Sequence, residues 1–425
     1  MSAVVDAGTL DASVRRSFDR MWGELAPVGR DTHTGGYRRY AWTREDAELA
    51  TWFAEQAGRR GLDVVADRAG NQWAWWGSPD DVRVDGRRGG VAIGSHLDSV
   101  PDGGAFDGPL GVVSALAVVD ALQAARRTPG IPLAVVRFRD EEGARFGIAC
   151  AGSRLVTAAL EPARALALRD ADGVTMAEAL RTSGHDPGQV GPDPEAMARL
   201  IGFVELHVEQ GRALADPGRY DQALAAVAVG SDIWPHGRWR VDLPGTANHA
   251  GTTRLEDRDD AMLALAGLVV AARESAGRQG CVATVGKVRV EPGGVNAIAS
   301  HVTAWLDGRG SDERAVRRLV DEVRNAVGVH GGTLTEESWT PATTFDPDLT
   351  TRLQDLLGPA TPLLGTGAGH DAGILATAGI PSAMLFVRNP TGVSHSPLEH
   401  AETADCHLGV AALAAVVADL TGVRP

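Results

Sequence analysis

The stretch from Gly94 to Val112, GSHLDSVPDGGAFDGPLGV, decides how the rest of the chain reads. It follows a short apolar run, Val91 to Ile93, which has the character of a buried strand end. It then sets His96 and Asp98 one residue apart, places Asp107 in Phe-Asp-Gly, and passes into an apolar helical pattern. A histidine, a glycine-rich loop and a carboxylate after a strand suggest metal ligands. Zinc and manganese accept both donor types, and the carboxyl end of an α/β sheet is where such sites form. Taken alone, the stretch also reads as a satisfied polar loop, so the other strand ends decide between the two.

Two more strand ends carry the same kind of chemistry. Leu133 to Phe138 is an apolar strand that runs into Arg139-Asp140-Glu141-Glu142-Gly143. Adjacent carboxylates there raise each other's pKa unless a cation lies between them. Phe203 to Val208 is a further strand, with His207 near its end and Glu209-Gln210-Gly211 after it. In isolation His207 reads as a core histidine; as part of a third strand-end cluster it reads as a ligand. Towards the C-terminus, Gly369-His370-Asp371 precedes a helix, Ala383 to Val387 is a strand, and the loop after it carries His395, Glu399 and His400. His370, Asp371 and His400 read equally as loop structure or as support behind the ligands. His185, His236, His301, His330 and His407 read as surface or packing residues.

Around these clusters the periodicity alternates between helix and strand. Leu10, Val14, Phe18, Met21 and Leu25 mark one face of a helix, Thr43 caps another that runs to Gly61, and residues 402–421 form a last apolar helix. Val64 to Asp67 and Gln72 to Trp76 read as a strand pair. Residues 227–338 differ, combining alternating strands (Trp239 to Leu243, Cys281 to Val290, His301 to Leu306) with helices from Arg258 and Asp312. The reading is an α/β catalytic domain, residues 1–226 and 339–425, with a mixed, mostly parallel sheet flanked by helices. An α+β lid and dimerisation domain, residues 227–338, is inserted into it.

Composition narrows the function. A chain of 425 residues exceeds one ordinary core. A net charge of -14 argues against a nucleic-acid or anionic-membrane partner, since either requires a basic face. Three scattered cysteines, Cys150, Cys281 and Cys406, form no disulfide framework and point to a reducing, cytoplasmic setting. The start, MSAVVDAGTL, lacks the basic and apolar regions of a secretory leader, and no uninterrupted apolar run approaches a membrane span.

These motifs together resemble the hydantoinase/carbamoylase branch of the binuclear zinc peptidases and aminoacylases. The likeness runs from about Arg38 to His400 through GSHLDSV, GGAFDGPLGV, EEGARF, ELHVEQG, HAGTT, GGVNAI with LDGR, GAGHDA and VSHSP with Glu399. It implies one metal on His96, Asp107 and His207 and another on Asp107, Glu142 and His395, with Asp107 bridging. Zinc or manganese is expected, and cobalt or nickel would be accepted. It further implies Glu141 as the base and Asp98 as the group orienting His96. Gln210, His249, Asn296 and Arg309 would be substrate contacts, His249 and Asn296 would serve the transition state, and the assembly would be a homodimer.

The expected reaction is hydrolysis of a linear ureido or amide C–N bond in a small carboxylate, allantoate or an N-carbamoyl-L-amino acid. N-formyl or other N-acyl amino acids and dipeptides are alternatives, and a non-catalytic metabolite-sensing dimer is a more distant one. The chain departs from the family at Arg212, at Arg254-Leu255 and across Ser231 to Trp239. Those departures bear on the substrate and leave the metal residues intact.

Overall fold

Apolar runs bounded by glycine or proline alternate here with apolar helical periods, and such an alternation closes into a largely parallel sheet covered by helices. The structure, a computed structural model, describes residues 10–81, 83–84, 87–219 and 226–423. Of the N-terminal stretch inspected for a leader, only Leu10 lies within them. The chain divides into two compact units. One comprises Met1–Ser231, Thr344–Leu364 and Gly369–Pro425; the other comprises Asp232–Thr343 and Gly365–Ala368.

The sheet of the first unit runs in the order Asp63–Ala66, Gln72–Trp76, Leu133–Phe138, Gly90–His96, Leu200–Val208, Ser382–Val387, Val227–Ile233. The strands from Leu133–Phe138 to Ser382–Val387 are mutually parallel, while the outer ones are antiparallel. Parallel strands align their carboxyl ends, so the segments after His96, Phe138, Val208 and Val387 all leave from the same end of the sheet.

The helix Pro109–Ala124 is apolar nearly all round and almost wholly buried, as a helix inside a core must be. It packs against Ala12–Leu25, Thr403–Thr421 and the strand Gly90–His96. The helix Thr403–Thr421 is long and apolar enough to cross a membrane, although Asp405 and Asp419 interrupt its apolar run. Its packing on Pro109–Ala124 accounts for that composition.

Thr43 caps the helix Arg44–Arg59 by accepting the Asp46 N–H at 3.3 Å. The Asp46 carboxylate turns inward, accepts the Trp42 N–H at 2.9 Å, and pairs with buried Arg137 and Arg139. Burial opposes its ionisation, but the two guanidiniums hold its pKa below the usual carboxylate range. The ion cluster thereby anchors the strand that leads directly into Asp140, Glu141 and Glu142.

In the second unit the strands lie in the order Val282–Glu291, His301–Arg309, His236–Pro244, Thr333–Thr340, all antiparallel. Ala261–Gln279 and Glu313–Gly328 pack on this sheet and on each other, closing a core around Trp239, Leu243, Leu268, Leu306 and Leu319. The strand Val227–Ile233 and the helix Pro347–Leu357 had no counterpart in the sequence reading. Gly230 and Asp232 interrupt the apolar alternation of that strand, and its pairing with Ser382–Val387 supplies what local propensity lacks.

Gly94, inside a central strand, has φ +150°, and a Cβ there would meet the Val136 carbonyl oxygen at 2.0 Å. Gly94→Ala is therefore expected to destabilise the first unit by about 3 kcal/mol or more through overpacking and backbone strain. Urea titration checks this, and an unchanged midpoint would show that the strand can shift.

Candidate binuclear metal centre

The segments leaving the parallel strands bring His96, Asp107, Glu142, His207 and His395 into two groups of potential ligand atoms, one of His96, Asp107 and His207 and one of Asp107, Glu142 and His395. Asp107 divides its oxygens between them. Oδ1 lies 3.5 Å from His96 Nε2 and 3.2 Å from His207 Nε2, while Oδ2 lies 3.3 Å from His395 Nε2. His207 Nδ1 sits 2.9 Å from the Val208 carbonyl, a contact that requires an Nδ1–H and leaves the Nε2 lone pair facing Asp107. His96 Nε2 is buried and lacks a hydrogen-bond partner. Glu142 Oε2 lies 3.7 Å from His395 Nε2.

Asp98, expected to orient His96, has its carboxylate engaged elsewhere as well. Its carboxylate lies 3.5 Å from His96 Nδ1, but the Asp98 backbone carbonyl is nearer, at 3.2 Å. The two carboxylate oxygens instead accept the N–H groups of Glu141 and Glu142, at 3.2 and 3.0 Å. Asp98 thus joins the first ligand loop to the carboxylate pair. Glu141 points Oε2 at His96 Nε2, 3.7 Å away, and the buried Cys150 thiol donates to its Oε1 at 3.2 Å. Asp140, Cys150, Gln210 and His395 all have positive φ, concentrating backbone strain around the centre. Gln210 Nε2 donates to Asp107 Oδ2 at 2.7 Å.

The electrostatics are those of a site built for cations. Burial, with His96 opposing and Asp371, Glu142 and Asp98 adding to it, pushes Glu141 well above the usual carboxylate range. Burial and Asp107 push Glu142 up to about 7. Asp107 is itself buried, yet His207, His395 and His96 hold it well below that range. His395 is raised to about 9, chiefly by its contact with Asp107 and against its burial. Buried carboxylates this close together draw protons or cations, and the imidazole and carboxylate donors fit two divalent ions.

The even readings also separate. His370 is buried with its ring 4.5 Å from that of His207, edge to face. Glu205, His207 and His370 form a third group of potential ligands. However, Glu205 already accepts the Ser95 hydroxyl at 2.7 Å and the Ala372 N–H at 3.0 Å. Asp371 is buried and accepts the Ser153 hydroxyl at 2.5 Å. His400 is exposed and pairs with Glu402 at 3.2 Å. Glu399, a possible ligand by sequence, is instead taken up by the Phe106 and Asp107 N–H groups and the Ser394 hydroxyl, and Cys150 and Ser394 have no role in the sequence reading.

His249, Asn296 and Arg309 lie in the second unit. His249 and Asn296 sit on paired backbone, with the Ala250 N–H donating to the Asn296 carbonyl at 3.0 Å. The Gly251 N–H donates to His249 Nδ1 at 3.0 Å, so the neutral ring carries its proton on Nε2. Arg258 steadies this turn through the carbonyls of Ala250 and Thr253, at 2.6 and 3.0 Å. Arg309 is held side-on by Asp307, with Nε and Nη2 at 2.6 and 3.0 Å, and its Nη1 donates to the Gly367 carbonyl at 2.7 Å. Of its five N–H groups, one on each Nη is left for a ligand.

Residues 92–419 match the peptidase family M20/M25/M40. The chain is 36% identical to an N-carbamoyl-L-amino acid amidohydrolase of Geobacillus stearothermophilus, over 93% of this chain and 96% of that one. It is 28% identical to the allantoate amidohydrolase of Escherichia coli K12, over 96% and 98%. A crystal structure of a hydantoinase/carbamoylase family amidase from Burkholderia ambifaria superposes with a TM-score of 0.78 at 30% identity, covering 97% of this chain and 98% of that one.

Because Asp107 belongs to both ligand groups, Asp107→Ala is expected to abolish binding at both positions. His207→Ala should remove one ion and spare the other. Metal content by mass spectrometry after dialysis checks this; two retained ions in the Asp107 variant would refute the shared carboxylate.

Proposed function

Because this chain belongs to the peptidase family M20/M25/M40 and is a hydrolase of carbon–nitrogen bonds other than peptide bonds, we propose that it is a metal-dependent amidohydrolase. Its substrate is a small carboxylate with a linear ureido group, allantoate or an N-carbamoyl-L-amino acid. The observation that carries this reading is the pair of ligand groups sharing Asp107, with Glu141 beside them. The names of the two amidohydrolase relatives support the substrate class.

His96, Asp107 and His207, and Asp107, Glu142 and His395, would hold two divalent ions, which when bound would supply Lewis acidity to the scissile carbonyl and lower the pKa of the attacking water. Glu141 takes the proton of that water and delivers it to the leaving nitrogen, as a positioned carboxylate does in general acid–base catalysis. The Cys150 thiol and the N–H bond to Asp98 keep the Glu141 side chain and backbone in place. His249, through Nε2–H, and Asn296 stabilise the developing oxyanion. Arg309 receives the substrate carboxylate on its remaining N–H pair, while Asp307 holds the guanidinium still. Gln210 orients the shared carboxylate and contacts the substrate beside it.

The working form is a homodimer through the second unit. Leu263, Val270 and Val282 are exposed there by 69, 56 and 57%. Among the described residues, the strand Val282–Glu291 pairs on one side only. An apolar helix face beside a free strand edge suits a second copy of the same surface. The three cysteines are free, which agrees with a cytoplasmic setting.

The first test is product release from allantoate and from N-carbamoyl-, N-formyl- and N-acetyl-L-amino acids with added manganese or zinc. Ammonia from a ureido substrate supports the proposal; turnover confined to N-formyl or N-acetyl acids moves the enzyme to that class. Glu141→Gln should keep its metal and lose about 10²–10⁴-fold in kcat. Arg309→Lys should raise KM about 10–100-fold with a smaller effect on kcat, as expected for a lost charged fork worth about 1.5–3 kcal/mol. Leu263→Arg together with Val270→Arg should convert dimer to monomer in sedimentation, and an unchanged mass would sink the interface.

A further inference from the structure

His395 differs from the other histidines of the centre in how it is held. His96 and His207 belong to strands and are fully buried, whereas His395 lies on a loop, is half exposed and has φ +54°. A loop-borne ligand in a strained conformation stays in place only if its surroundings determine it. Part of that constraint comes from Asn389, whose side chain accepts the N–H groups of Thr391 and Gly392 and donates to the Val393 carbonyl at 2.8 Å. That network closes the loop on itself and does not connect it to the other ligands.

The connection runs through Glu399, buried to 5% exposure. Its Oε1 accepts the backbone N–H groups of Phe106 and Asp107, at 2.7 and 2.9 Å. Its Oε2 accepts the hydroxyl of Ser394, the neighbour of His395, at 2.8 Å. Ser394 Oγ also lies 3.2 Å from Asp107 Oδ2. One carboxylate therefore binds the backbone of the shared ligand and the loop of His395 across 292 residues of sequence. The loop approaches so closely that a Cβ on Gly104 would meet the Glu399 side chain at 2.4 Å.

We propose that Glu399, acting with Ser394, is the positioning residue that sets Asp107 and His395 in register, so that the metal position of Asp107, Glu142 and His395 depends on it while that of His96, Asp107 and His207 does not. This rests on the binuclear reading of the centre. The asymmetry follows from the scaffold: His96 and His207 keep their places through the sheet. Glu399 touches no reacting atom and acts through the two ligands. Groups that orient metal ligands typically govern affinity by about 10–100-fold.

The experiment is a zinc titration of metal-free full-length protein against a chromophoric chelator, with bound metal counted by mass spectrometry, for wild type, Glu399→Ala, Glu399→Gln, Ser394→Ala and His395→Ala. Wild type should bind two ions. Glu399→Ala should bind its second ion about 10–100-fold more weakly, with the first unchanged. Glu399→Gln, which keeps an oxygen for the two N–H groups, and Ser394→Ala should fall between. Glu399→Ala combined with His395→Ala should lose no more than His395→Ala alone, since both act on one position. Should Glu399→Ala fail to fold, the glutamine and serine variants carry the same comparison. Equal loss of both ions, or both retained at wild-type affinity, overturns the proposal. A wild type that binds fewer than two ions instead overturns the binuclear reading beneath it.

Discussion

Buried negative charge is the constraint on which the rest of this structure depends. Asp98, Asp107 and Glu141 are buried at one end of a parallel sheet, with Glu142 beside them. Removing several carboxylates from water next to one another costs more than ordinary packing returns, so the cluster has to take up protons or cations. Everything around it either supplies compensating donors or keeps the carboxylates apart at useful distances. Asp98 spends both oxygens on the N–H groups of Glu141 and Glu142, and Glu399 does the same for Phe106, Asp107 and Ser394.

The scaffold makes that concentration tolerable. The parallel strands are buried, with Pro109–Ala124 and Thr403–Thr421 packed on them and on each other, so little of the chain near the centre can move to relieve strain. Strained backbone persists at Asp140, Cys150, Gln210 and His395 under those conditions. Behind Glu141, the Asp46, Arg137 and Arg139 cluster fixes the strand from its other side. The first unit can thus hold a rigid constellation of side chains, while the second presents exposed His249 and Asn296 on paired loop backbone and a partly engaged Arg309 at a strand end.

Much of this was legible from residue order. Apolar runs at Leu133–Phe138 and Ser382–Val387 announce buried strands because strands covered on both faces cannot alternate. The proposed ligands lie at the ends of parallel strands or in the segments that leave them, so the periodicity that identifies strands narrows where to look. Val227–Ile233 escaped because Gly230 and Asp232 break its pattern and only its neighbour in the sheet makes it a strand. Thr403–Thr421 reads as an apolar helix, and its two aspartates interrupt the continuous run by which a membrane-length helix is recognised.

The sequence by itself determined the alternating α/β organisation, which follows from local periodicity, and supplied candidate donors, from which the family resemblance implied a ligand set. Tertiary structure alone decided how those donors share their work. That Asp107 faces two histidines with one oxygen and a third with the other depends on contacts that reach from Asp107 to His207 and His395 in other segments of the chain. The attachment of Asp98 to the Glu141 and Glu142 backbone, the use of Glu399 to join two loops, and the contact of Arg309 with the Gly367 carbonyl likewise join separate segments, while Asp307, on the same strand, holds Arg309 locally. A sequence specifies which groups can accept or donate; which partner each one finds is set by how the strands are ordered in the sheet, and that order is not local information.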